Sequence, residues 1–570
     1  MRLLTFSAAG LMSVALAGCG PKEEAAAPAS APTGPVGAVL STSPEITAAD
    51  IGARIKELAD DKYEGRGPGD PEGEAAADWI ASEMKRIGLE PGNPDGTYFQ
   101  VVKMAAQTVD PAKSFLKIAG PDGKSWDLKL GPDAVYITKD QKNAEVSFAD
   151  SDLVFVGYGV VAPEAKWNDY AGVDMKGKTA VMFVNDPGFV TNDKSLFNGQ
   201  AMTYYGRWTY KFEEVARQGA TAALIIHEEK PAAYGWGVVE SSWTGEQADL
   251  VREDGGASRA KLEGWIQLNH ATELFKAAGL DIDKMRAAAN KRGFKPVPMT
   301  GLKASSTITQ TVTFKDSRNV IGTVKGAERP DEHLLLMAHW DHLGKGTSDD
   351  PNADTINNGA VDNATGTAAI LEIAEKVASG PKPQRSVTFL AVTLEESGLL
   401  GSAYFGENPL IPLNRIVGGI NIDALQPSGP AKDVIVIGAG ASQMEDMLKT
   451  VLAENNRVIR PDPMPENGYF YRSDHISLAK KGVPMLYIDS GIDLVEGGVT
   501  AGEAIGKKYT DDDYHKPSDE YADTWNLAGI EADVKADYEV ITRYASSADW
   551  PNWYDGNEFK GIRDASRKGQ

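Results

Sequence analysis

Three apolar, β-type runs in the second half of the chain each stop at a metal-capable side chain, and this repetition restricts the possible folds more than any other feature. Leu334-Leu335-Leu336-Met337-Ala338 ends at His339, Ser386-Val387-Thr388-Phe389-Leu390-Ala391-Val392 leads to Glu395-Glu396, and Ile416-Val417-Gly418-Gly419-Ile420-Asn421-Ile422 leads to Asp423. A continuous apolar run reads as a strand buried on both faces, in a largely parallel sheet covered by helices. Open sheets of this kind carry their ligand groups at the carboxyl ends of the strands. Between the first two runs, Asp362 opens a segment through Leu371 whose apolar spacing predicts a helix start. A carboxylate at such a start is placed to bridge two cations, supported by the helix amides. Asp341, two residues past His339, is placed to turn back and accept the imidazole's other N–H, which would fix its tautomer.

The neighbouring glutamates repel each other. At the end of an apolar run they predict divided labour, with one carboxylate on a metal and the other free as a general base. Tyr514-His515 supplies a second imidazole much later in the chain. Two histidines and several carboxylates at segment edges predict a two-metal hydrolytic site. Mixed imidazole and carboxylate ligands suit Zn²⁺, with Mn²⁺ or Co²⁺ as substitutes.

These segments resemble the zinc aminopeptidase/glutamate carboxypeptidase family of co-catalytic metallopeptidases. The matching pieces are His339-x-Asp341, Gly359-Ala360-x-Asp362-Asn363, Glu395-Glu396-x-Gly398-Leu399-x-Gly401-Ser402, Asn421-x-Asp423, Arg472-Ser473-Asp474-His475 and Tyr514-His515-x-x-x-Asp519. The resemblance implies a mixed central sheet flanked by helices, an α/β three-layer sandwich. It implies one metal on His339, Asp362 and Asp423, and a second on Glu396, His515 and the shared Asp362. By the same resemblance Glu395 is the base, Asp341 the orienting acid, Tyr514 the oxyanion donor, and Arg472 and Asp474 orient substrate. The implied activity is hydrolysis at peptide chain ends, most readily as an aminopeptidase. The alternatives are a carboxypeptidase or dipeptidase of the same family, or a single-zinc enzyme resembling glutaminyl cyclases. A serine-nucleophile reading is weak, because no Gly-x-Ser-x-Gly elbow follows a strand.

The chain has 570 residues, so more than one domain is expected. A formal net charge of −23 disfavours nucleic acid and anionic membrane surfaces as partners, and the peptide substrate is what the resemblance implies. Residues 1–18 read as an export signal. Leu16-Ala17-Gly18-Cys19 resembles a bacterial lipobox, which implies a lipid on Cys19, the single cysteine of the chain. The resulting expectation is a periplasm-facing lipoprotein, at the outer membrane, joined to its lipid by a flexible tether over 19–45. Residues 46–124 and 301–550 are assigned to the peptidase domain and 551–570 to a C-terminal tail. Residues 125–300 interrupt the pattern with short strands. Gly157-Tyr158-Gly159, Trp167-Asn168-Asp169-Tyr170 and Gly177-Lys178 resemble a β-rich protease-associated domain, expected to wall the cleft.

Overall fold

A computed structural model describes residues 37–348 and 350–568. The export signal and Cys19 lie outside the described residues.

The strand ending at His339 (Arg329–His339) lies between two parallel neighbours, Arg385–Val392 and Ile416–Ile422, and Met485–Asp489 extends the parallel set. Antiparallel strands flank it. Val320–Val324 pairs with Ala391–Val387, and Val436 and Ile435 pair with Ile488 and Asp489. The apolar runs are buried on both faces, as their composition demands. Leu334, Leu336 and Ala338 pack into one core with the helices Ala48–Leu58, Pro71–Ile87, Thr365–Ser379 and Ala528–Ser546. Leu335 and Met337 pack into another with Leu390, Phe405, Leu478 and Met485. The fold is therefore a mixed α/β sheet flanked by helices.

A second sheet occupies the middle of the chain. Strands Glu145–Phe155, Thr179–Phe183, Ala222–His227 and Leu262–Gln267 form its parallel centre, with Ala134–Ile137 antiparallel at one side. One long strand, Val297–Val324, serves both sheets. Its first half pairs with Phe115–Ala119 and Glu145–Phe155, and its second half pairs with Phe99–Val109 and Arg385–Val392. The boundary expected at 124/125 thus falls at the turn of a hairpin, Phe115–Leu128, that already belongs to the second sheet, and the one at 300/301 falls within the long strand, at a register shift between Pro298 and Lys303. The middle segment also returns a strand, Glu246–Leu250, to Phe99–Val109.

The described end of the expected tether, residues 37–45, and the expected C-terminal tail both make packing contacts. Within the expected tether, the Ala38 amide donates to Glu57 and the Trp79 indole donates to the Ala38 carbonyl. In the expected tail, Trp553 and Phe559 are buried. The short helix Lys560–Ser566 sends Arg563 under the sheet to the carbonyls of Ile416 (3.0 Å) and Val417 (2.8 Å). Both stretches hold apolar or arginine side chains that need a buried partner, and their lack of periodicity hid this.

Candidate metal centre

The carboxyl ends of the three buried strands bring His339, Glu395, Glu396 and Asp423 to one edge of the sheet. Asp362 is delivered from the turn ahead of the Thr365–Ser379 helix. Asn363 holds that turn against the neighbouring strand. Its side-chain amide donates to the Ile422 carbonyl (3.0 Å), and its Oδ1 accepts from the amides of Gly366 (2.8 Å) and Ala424 (3.1 Å). A Cβ at Gly366 would lie 2.4 Å from both the Ile422 carbonyl and Asn363 Oδ1, so only glycine permits this approach. Asp519 accepts from the amides of Val361 (2.9 Å) and Asp362 (3.1 Å), which anchors the loop bearing His515 to the same turn.

His339 Nε2 lies 3.1 Å from Asp362 Oδ1 and 3.2 Å from Asp423 Oδ1. His515 Nε2 lies 3.3 Å from Asp362 Oδ2 and 3.2 Å from Glu396 Oε2. Asp362 thus presents one oxygen to each of two imidazoles. Ligand atoms about 2.0–2.1 Å from a tetrahedral zinc are about 3.3 Å apart, which matches all four separations. The donor set, imidazole and carboxylate in both groups, also fits zinc. Burial opposes charge on the Asp362 carboxyl, but hydrogen bonds from His339 and His515 hold it well below the usual carboxylate range. Burial opposes protonation of His515, yet Asp362 and Glu396 raise it to about 10.

The two glutamates differ sharply. Glu396 has both oxygens engaged, by His342 Nδ1 at 2.6 Å and by His515 at 3.2 Å. Burial and the Asp362 charge act to raise it, but those imidazoles hold it at about 2. Among the described residues none donates to the Glu395 carboxylate, and burial first, then the charges of Glu396 and Asp423 against that of His339, raise it well above the ordinary value.

Two sequence expectations, for Asp341 and Asp474, need restating. The carbonyl of Asp341, at 3.1 Å, receives the His339 Nδ1 proton, while its carboxylate oxygen is 4.0 Å away. That carboxylate instead accepts the Glu395 amide at 3.1 Å, and burial pushes it up to about 8. It orients the neighbouring base loop and not the imidazole ring. Asp474 is completely buried, where burial lifts its carboxyl to about 7, so it does not face a substrate. The acids beside His515 are taken up by the lysines of the preceding helix, Lys507 with Asp511 at 2.5 Å and Lys508 with Asp512 at 3.0 Å. Tyr514 stacks on His515 with ring centres 3.9 Å apart, and its hydroxyl is within electrostatic reach of Asp362 and Glu396.

His342 was missed. It is buried, lies three residues beyond His339 and joins Asp362 and Glu396 in a third group of mutually close donor atoms. The tandem His339-Trp340-Asp341-His342 was the available signal. A hydroxyl also went unnoticed: Ser473 donates to Asp423 at 2.6 Å and accepts from Asn421 at 2.7 Å.

The profile described as Peptidase family M28 matches residues 319–536. A Caenorhabditis elegans glutamate carboxypeptidase 2 homolog is 27% identical over 314 residues, 49% of this chain and 38% of that protein. The mouse (Mus musculus) aminopeptidase NAALADL1 is 32% identical over 139 residues, 23% of this chain and 17% of that one. The chain therefore spans well under half the length of these relatives. Among solved structures, an aminopeptidase from Aneurinibacillus sp. strain AM-1 is 19% identical with a TM-score of 0.46, over 88% of this chain and 94% of that one.

Proposed function

We propose, on the match of residues 319–536 to the profile described as Peptidase family M28, that this chain is a two-zinc peptidase that trims peptides from the amino end. The observation that supports it is the sharing of Asp362 between two donor groups, with Glu395 left unengaged beside them. His339, Asp362 and Asp423 would hold one ion, and Asp362, Glu396 and His515 the other. When bound, such a pair lowers the pKa of water and polarises the scissile carbonyl. Glu395 takes the proton of the attacking water and passes it to the departing amine, so the nitrogen leaves neutral. The Tyr514 hydroxyl donates to the oxygen that gains charge on the former carbonyl. Ser473 and Asn421 hold Asp423 in place through both steps.

A second reading, trimming from the carboxyl end, is favoured by one feature. Arg207, from the inserted segment, is only 9% exposed and has no carboxylate partner among the described residues. Burial, and then the charge of Arg472, pull it down to about 9. Arg472 stands over the rings of Tyr234 (5.7 Å) and Tyr469 (5.5 Å), with Nε and Nη2 buried and unpaired. Two neighbouring guanidiniums without an anion suit a substrate carboxylate. Peptides blocked at one end decide between the readings. Loss of hydrolysis on amino blocking supports amino-end trimming; loss only on carboxyl blocking rejects it.

The lipid anchor, the periplasmic location and the cleft-walling role of the insert belong to the same proposal. Cys19→Ser should move the protein from the membrane fraction to the soluble one, and unchanged partition would reject the anchor.

A further inference from the structure

One guanidinium lies beneath the centre without touching any of its ligands. Arg66 ends the turn Asp61–Arg66, far ahead of the ligands in sequence, and is 1% exposed. Its Nε donates to the carbonyl of Trp340 at 2.7 Å, and its Nη1 donates to those of Leu58 at 2.8 Å and Asn358 at 2.5 Å. Its Nη2 donates to the Gly359 carbonyl at 2.8 Å. The backbone adds to this grip, since the Arg66 and Gly65 carbonyls accept the amides of His342 (3.3 Å) and Gly344 (3.0 Å). Glu64, Gly65 and Arg66 are all left-handed, and a Cβ at Gly65 would lie 2.6 Å from the carbonyls of Asn357 and Gly344. The turn is thus pressed against two loops at once. One carries His339, Asp341 and His342; the other leads into Asp362. Only a planar fork with several fixed donors can hold four carbonyls on different segments, and an ammonium cannot.

We propose that Arg66 is a positioning residue of the metal centre. It clamps the 340–344 and 357–360 loops in the spacing that lets His339 and Asp362 share a cation. The proposal rests on the two-metal reading above but not on the peptidase activity. Arg563 is the matched control, being a buried arginine that also donates to two carbonyls but at the far end of the Asp423 strand.

Zinc content after dialysis and zinc affinity by chelator competition are measured for wild type, Arg66→Lys and Arg563→Lys, with thermal unfolding of each metal-free protein. Arg66→Lys should bind zinc about 10- to 100-fold more weakly, the range seen when a ligand's supporting partner is lost. Arg563→Lys should lose stability and keep its zinc affinity. A folded Arg66→Lys protein with wild-type zinc affinity overturns the proposal, and so does an equal loss of affinity in both variants. If Arg66→Lys does not fold, Asp61→Ala takes its place. Asp61 is exposed and accepts from Asn358 at 2.8 Å, holding the same loop to the same turn. A several-fold weaker zinc affinity in that variant supports the clamp, and an unchanged one overturns it. Wild type that binds zinc but hydrolyses no peptide removes the proposed activity and leaves the zinc comparison to decide Arg66. Wild type that binds no divalent metal removes both.

Discussion

Glu395→Gln tests the division of labour most directly, because the substitution keeps shape and removes only the charge and the proton acceptor. The Glu395 carboxylate receives no hydrogen bond among the described residues, whereas Glu396 is engaged at 2.6 Å and 3.2 Å. The glutamine should therefore leave ligand geometry and zinc content unchanged. A positioned general base contributes about 10²–10⁴-fold, so kcat should fall by that factor, about 3–5 kcal/mol of barrier at ~1.36 kcal/mol per decade. KM should stay within a few fold. Stability moves the other way. Glu395 has a raised pKa in the folded protein, so the folded state holds a proton that the unfolded state has released, and stability falls as pH rises above the ordinary glutamate value. Glutamine removes that liability, so metal-free Glu395→Gln should melt at or above the wild-type temperature near pH 8. Steady-state kinetics with metal analysis and calorimetry supply these readouts. A variant that hydrolyses peptides within a few fold of wild type, or that loses zinc, refutes the assignment.

Three further outcomes follow from the same geometry. His342→Ala should weaken the zinc shared by Glu396 and His515 by about 10- to 100-fold, read by chelator competition, since the bond at 2.6 Å fixes the Glu396 carboxylate. Gly366→Ala should cost about 1–3 kcal/mol in denaturant unfolding, because its Cβ would sit 2.4 Å from Asn363 Oδ1 and the Ile422 carbonyl. For the metal-free protein, Glu396 held at about 2 contributes stability that is present above pH 4.5 and lost as pH falls towards 2. His515 raised to about 10 contributes stability that is complete below pH 6.5 and lost as pH rises towards 10. Melting temperature should therefore decline on both sides of that interval, and saturating zinc, which displaces the His515 proton, should abolish the alkaline decline.

What the sequence disclosed and what it concealed divide along physical lines. A parallel strand buried on both faces has no alternation to blur its end, so Leu334–Ala338 and Ser386–Val392 point to His339 and the glutamate pair as the groups at their carboxyl ends. The same logic could not find the domain boundary at 300. Along Val297–Val324 the alternation through Leu302, Ala304 and Ile308 runs on past residue 300, and the same strand goes on into the first sheet. His342 was hidden for the opposite reason. It stands after the strand has ended, where no periodicity marks which side chains turn inward. Asp341 was recognised as an orienting residue, but spacing alone could not distinguish its carbonyl, which reaches His339, from its carboxylate, which reaches Glu395.

Arg66 and Asn363 show where local reading stops in principle. Each acts through carbonyls on segments remote in sequence, and a carbonyl belongs to every residue, so no pattern in the chain advertises which ones will be met. Yet these are the interactions a centre of this kind requires. Five carboxyl groups, Asp341, Asp362, Glu395, Glu396 and Asp423, crowd one end of a sheet, and their repulsion works against closing the site. Imidazole protons and one buried guanidinium offset it only in part. The remaining imbalance is what a pair of divalent ions would neutralise. If that is the role of the ions, their binding should tighten the whole strand edge at once. Hydrogen exchange at the amides of Val361, Asp362 and Glu395 should then slow together on adding zinc, while amides of the second sheet stay unchanged.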